Sequence, residues 1–377
     1  MKLKKILIVA ISSLLLSACG GMGAGTLPKG GQPATAASTV EAIGRAYDSM
    51  LDLDSFEANF TLNKAHVDAR IPITENEESG YGIIEADTSV KTKFAATGLT
   101  STSLDDLAAE VKVDGLKLDV YVGTEFGGES EAMVDLGFSD IDFAAYVADG
   151  NLYVNASDPE FREFVPAVIS TISTLVSSES VEEDIMDSIP ETFQVPGLIP
   201  EEALPIFDTL LGLAGIEKLP AREDLVAMLG EVVNEPVFAI LDDYITVLDY
   251  EDGSFGIGID LSKEDVLSLA TIIISSMNEE TTEEEVEAIV TEIGKVLKVG
   301  ALKVTILLNA DALLTDFLVD IDVTVDTSLS EVFAGESGDG VKINAALKSE
   351  LRMKYGEDVS VILPTDLSSY PVMNPAN

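Results

Sequence analysis

The sequence predicts an α+β fold in which a large antiparallel sheet turns an apolar face toward a set of helices. Three observations carry this expectation: long runs of period-two alternation, Asp-Gly pairs placed between such runs, and separate stretches with helical spacing.

The alternation is clearest in residues 84–96. Ile84, Ala86, Val90, Phe94 and Ala96 take even positions, while Glu85, Asp87, Lys91 and Lys93 take odd ones. Leu116, Leu118, Val120 and Val122 alternate with Lys117, Asp119 and Tyr121. Phe317, Val319, Ile321, Val323 and Val325 alternate with Asp320, Asp322 and Asp326, and Ile343, Leu347 and Leu351 with Lys342, Lys348 and Arg352. Successive side chains of a strand point to opposite faces, so each run has one face for a core and one for water. Parallel strands covered on both faces would be apolar throughout; these strands are therefore antiparallel. Asp149-Gly150 and Asp252-Gly253 are hairpin turns, because both residue types tolerate positive φ.

Helical signals begin at Ser38, which forms a capping box with Glu41 ahead of Val40, Ile43, Tyr47, Met50 and Leu51. Residues 159–234 read as a helical middle, cut into short helices by prolines at 166, 190, 196, 200, 205 and 220. Two further helices cover residues 263–277 and 282–297, the second with Glu283, Glu284 and Glu285 at its positive N-terminal end. The stretches PAVISTISTLV, ALPIFDTLLGLAG and DVLSLATIIISSM carry almost no charge, so they belong against the apolar face of the sheet. On this reading Phe60, Phe94, Val319 and Ile321 of the sheet face Ile169, Ile172, Leu210, Leu211, Ile272 and Ile273 of the helices. If that interface encloses a cavity, it accepts an apolar ligand. If its side chains fill the space, the chain is a structural or interaction protein with a solid core and an acidic surface.

At the N-terminus Lys2, Lys4 and Lys5 precede an apolar run over residues 6–16, shorter than the roughly 20 residues needed to span a bilayer. Leu16, Ser17, Ala18 and Cys19 follow, a sequence that resembles the lipobox of bacterial lipoproteins at every position. The resemblance implies cleavage before Cys19, lipidation of its thiol, and a membrane anchor on the extracytoplasmic face. Two acyl chains anchor durably where one is marginal. Residues 1–18 are then a signal peptide, the glycine-rich residues 19–37 a flexible tether, and residues 38–377 one domain. Cys19 is the single cysteine, so no internal disulfide forms.

Loss of residues 1–18 removes three of the 22 basic residues, leaving 19 against 67 acidic ones, a net charge of −48. Nucleic acid is excluded as a partner, since its binding needs clustered Lys and Arg. The chain is nevertheless 46% hydrophobic, enough to bury a large core beneath an acidic skin. Such acidity reads as adaptation to a cation-rich exterior, in which salt screens self-repulsion. Capture of divalent cations is the weaker reading, because no acidic cluster has the spacing of a calcium loop.

The inventory also limits chemistry. With His66 the single histidine and Cys19 committed to lipid, Cys/His catalysis, serine triads with histidine and Cys/His zinc sites are all excluded. His66 lies where the alternation of Phe56, Ala58, Phe60 and Leu62 breaks phase, and is read as a solvated strand or bend residue. Gly256-Ile257-Gly258 sits within a strand pattern and lacks the third glycine of a nucleotide-binding turn. No enzyme, cofactor or metal site is predicted.

The order of elements resembles the LolA-like and LppX-like superfamily of bacterial lipoproteins. The likeness rests on the lipobox and tether, a first helix running into LDLDSFEANFTLN, the hairpin FAAYVADGNLYVN, the helical middle, the hairpin ITVLDYEDGSFGIGIDLS and the closing DVSVILPTDLSSY. It implies a strongly curved antiparallel sheet, an unclosed barrel, wrapped around several helices. The apolar space between them would hold a lipid or acyl chain, without catalytic residues.

Overall fold

The computed structural model describes residues 27–35, 52–75, 78–177, 189–200, 203–205, 244–277, 282–334 and 340–373, with helical residues 41–42, 44–46, 48–49 and 227. Its strands are β1 (Gln32–Pro33), β2 (Phe56–Glu75), β3 (Glu78–Thr97), β4 (Ala108–Phe126), β5 (Glu129–Ala148), β6 (Asn151–Asn155), β7 (Thr192–Val195), β8 (Ile245–Asp249), β9 (Phe255–Asp260), β10 (Leu297–Leu308), β11 (Leu314–Asp326) and β12 (Lys342–Tyr355). The helices named below are α1 (Pro159–Ser177), α2 (Lys263–Met277), α3 (Glu283–Val296) and the single turn α4 (Glu331–Ala334). The strands form one open sheet in the order β1-β8-β9-β10-β11-β12-β2-β3-β4-β5-β6-β7, with antiparallel pairing throughout. The β12–β2 pairing joins the two halves of the chain.

Register divides the sheet into two faces. Phe317 lies opposite Leu351, Leu351 opposite Phe60, Phe60 opposite Thr92, Thr92 opposite Val113 and Val113 opposite Phe143. Directly paired residues share a face; the alternation in each strand therefore adds into one apolar face across the sheet. The lysines and arginines of the strands, among them Lys93, Lys112, Lys303, Lys348 and Lys354, fall on the other face. Between Leu62 and Ala65 the β2–β3 pairing shifts, a bulge that resets the phase just before His66. His66 points to the polar face, its Nδ1 3.0 Å from Asp87 Oδ1.

Helices cover both flanks of the apolar face. On one flank Phe161 of α1 stacks on Phe143 of β5 at 4.9 Å between ring centroids, and Phe164 meets Phe138 edge-on at 5.4 Å. On the other, Val266 and Ile274 of α2 with Val286, Ile293 and Val296 of α3 form a core cluster with Leu297 and Val325. α3 starts on a complete capping box: Thr282 Oγ1 accepts from the Glu285 amide, and Glu285 accepts from the Thr282 amide.

Both Asp-Gly turns occur where expected. Asp149 and Gly150 have φ of 51° and 71° between β5 and β6, and Gly253 has φ of 83° between β8 and β9. Three expectations are corrected. Within the helical middle, Pro166 lies inside α1 and does not break it. Thr192–Val195 of the same stretch is a strand, because β6 would otherwise have an unpaired side. Within the tether, residues 27–35 are held against β8 and β9. The Ser38 cap and most of residues 201–243 lie outside the described residues.

The capping box supplies a direct test of this assignment. Replacing Thr282 with Ala should lower the stability of the folded chain by about 1 kcal/mol, read from urea midpoints.

Candidate functional site

The residues expected to line a cavity are distributed across the fold. Val319 and Ile321 are on the apolar face and buried. Phe60 and Phe94 are on the same face, half-buried, with Phe94 packed on Phe56 at 5.2 Å. Ile169 belongs to α1, on the flank covered over β5, whereas Ile272 belongs to α2 on the opposite flank. The two helices therefore do not close over the same strands. Ile273 is exposed, and its neighbour Ile274 takes the buried position expected for it, in the cluster with Val266, Val286 and Ile293. The side chain of Ile172, together with Leu210, Leu211 and Cys19, lies outside the described residues.

The same face carries an apolar patch further along β2 and β3. Val67, Ile71 and Ile84 are 38%, 39% and 39% exposed. Ala69 lies opposite Ile84 and Val67 opposite Ala86, which places Val67 and Ile84 diagonally adjacent, with Ile71 one position further along the same face. Val122 and Val120 of β4 continue these rows opposite Ile84 and Ala86. Sequence reading stopped at the phase break before His66. The signal was present beyond it, in the alternation of Ala65, Val67, Ala69, Ile71 and Ile73.

The polar face holds a compact charge cluster. Glu110 is fully buried; Lys93 donates a hydrogen bond to it and Lys112 lies 2.8 Å from its Oε2. Lys93 is also 3.5 Å from the buried Glu57, which accepts hydrogen bonds from Lys354 at 2.9 Å and Asn59 at 2.8 Å. The segment after β12 covers this cluster: Lys93 donates to the Ser360 carbonyl at 3.1 Å, and Tyr370 packs with Tyr146 and Tyr153. Burial alone would raise the pKa of both glutamates, but the hydrogen bonds and charges of their partners outweigh it and hold both below the ordinary value. Burial opposes the charge on Lys93 as well, yet Glu110 and Glu57 raise its pKa. A general acid or base works best with a pKa near the operating pH. These shifts run away from neutrality, so the cluster holds its charges near pH 7.

An open cleft of about 780 Å³ separates α2 from α3, with Leu267, Val286 and Val290 on its walls, and Glu283 and Glu287 also lining it. Lys263 spans the two helices by donating to the Gly294 carbonyl. A smaller opening of about 230 Å³ beside Lys112 and Tyr146 is lined by Asp114, Asp142 and Asp158. Among the described residues no group of three or more His, Cys, Asp or Glu side chains is arranged to hold a metal ion. No described helix is long and apolar enough to cross a membrane. No protein-family model, curated protein or solved structure matches the chain.

The charge cluster predicts a specific pH dependence. With folded pKa values below the ordinary 4.5, Glu57 and Glu110 contribute stability that is present above that pH and lost as pH falls through their folded values. Glu110→Gln should cost about 2 kcal/mol at pH 7, since it leaves Lys93 and Lys112 without their shared carboxylate. The difference from the parent chain should shrink as pH drops below 4.5. Comparing the two proteins at each pH cancels the repulsion among the other carboxylates, and a difference that stays constant down to pH 3 would exclude the linkage.

Proposed function

We propose that the protein is a membrane-anchored extracytoplasmic lipoprotein of the LolA-like and LppX-like kind, and that it binds a lipid or acyl chain without catalysis. In this reading Cys19 carries the anchor, and the sheet curves around its helices as an unclosed barrel. The observation that carries it is the patch of Val67, Ile71 and Ile84, on an apolar face whose flanks are packed by helices. Contiguous exposed apolar side chains of this kind offer a ligand or partner a surface to cover. Ligand burial there gains roughly 25 cal/mol per Å² of apolar area, or about 0.8 kcal/mol for each CH₂ group. The cleft between α2 and α3 suits an anionic amphiphile less well, because it presents two carboxylates.

A second reading, a structural or interaction lipoprotein of the cell envelope with a solid core, draws support from the direct ring contacts between α1 and β5. Ligand binding separates the two. The delipidated domain should bind a fluorescent fatty-acid analogue saturably. Ile84→Lys should weaken that binding about tenfold, equivalent to about 1.4 kcal/mol, and leave folding intact because the side chain is already exposed. Ile273→Lys, an exposed position on α2, should leave affinity unchanged. Absence of saturable binding by the parent domain would discard the carrier reading in favour of the structural one. The anchor is tested separately: Cys19→Ser should abolish incorporation of radioactive palmitate.

A further inference from the structure

Residues 27–34 are bound to the sheet through contacts of several kinds. Gln32 and Pro33 pair with Asp249 and Leu248 of β8, and the Ala34 amide donates to the Val247 carbonyl at 2.9 Å. The Tyr250 hydroxyl donates to the Pro28 carbonyl at 3.0 Å. Leu27 lies across β9, where a Cβ on Gly256 would come within 2.9 Å of its side chain and one on Gly258 within 3.0 Å. A Cβ on Gly31 would lie 2.8 Å from both Leu248 and Tyr250.

None of these three glycines has a positive φ. Their lack of a side chain is therefore explained by close approach and not by backbone conformation. Glycine within a strand weakens it and commonly marks the place where another backbone or ligand comes near. Here the pair Gly256 and Gly258 forms a shallow seat on the polar face of β9, and Leu27 occupies it.

We infer that this seat makes residues 27–34 a docking segment that holds the β8–β9 edge of the sheet toward the lipid surface. The inference rests on the anchor reading given above. Leu27 follows Cys19 by eight positions, so the chain between them reaches at most about 28 Å, whatever its path. If the whole tether were free, the distance from Cys19 to the helix at residue 41 could reach about 75 Å and the domain could take any orientation. Seated, the domain presents one edge to the membrane and holds it close.

The test uses the full acylated chain with Glu251→Cys in the exposed β8–β9 turn as the free thiol, labelled with a donor dye. The protein is reconstituted in phosphatidylcholine vesicles that carry a headgroup acceptor. Leu27→Ser and, independently, Gly258→Val should each reduce energy transfer at least twofold and accelerate hydrogen exchange at the Ala34 amide at least tenfold. Exchange at Ala34 as fast as in an unstructured peptide in the parent chain would overturn the seat. Faster exchange in both variants with unchanged transfer would overturn the orientation while leaving the anchor reading intact. A chain that takes up no palmitate at Cys19 overturns the anchor reading, and the orientation falls with it, whatever the exchange rate at Ala34.

Discussion

The two-residue repeat of the strand is the constraint on which the molecule depends. Because each strand is paired on both sides through most of the sheet, the face chosen by Phe60 is also the face of Leu351 and Phe317 on one side and of Thr92 and Val113 on the other. A slip of one residue in β2 would carry Lys64 and Arg70 to the helix side and Phe60 to water. The bulge after Leu62 is the counterpart of this rule. It inserts residues at a point where the phase must change and lets Val67 and Ile71 continue on the apolar face.

Charge follows the same partition. A chain of net charge −45 repels itself, and its few cations have most effect where carboxylates are concentrated or hidden from water. Lys303 beside Asp260 is an exposed cross-strand pair and Lys348 beside the half-buried Asp320 a partly exposed one, each of small energetic weight. Lys93 differs because it lies between two buried glutamates under the segment that contains Ser360 and Tyr370. Burial makes the loss of any one partner costly there. The cluster therefore ties the long strands to that covering segment.

Much of this was legible in the residues. The strands over 84–96, 317–325 and 343–353 show their alternation openly, and Asp149-Gly150 declares its turn through a residue pair at ease with both positive φ values. Other features were hidden for identifiable reasons. The docking of residues 27–35 pairs with a segment more than two hundred positions away, and its glycines look like those of a linker. The buried face of α2 was ambiguous because Ile272, Ile273 and Ile274 are adjacent, so only tertiary contact selects Ile274. β7 is four residues long in a proline-rich stretch, too short for periodicity to register. The exposed patch was missed because the bulge interrupts the pattern just before it begins.

The short strands at the sheet's two ends have a consequence for the behaviour of many molecules together. An open sheet offers a row of unpaired amides and carbonyls at each end, and a long exposed row recruits neighbouring chains into aggregates. Here one end is finished by the two residues of β1 alone, with Pro33 unable to donate. At the other end, β7 is only four residues long, and Gln194 is already bonded to Pro371 and Met373. Sequence near each end of the described chain thus stops the outermost short strands, and one edge left open to a neighbouring molecule is that of residues 129–143 of β5, which β6 does not reach.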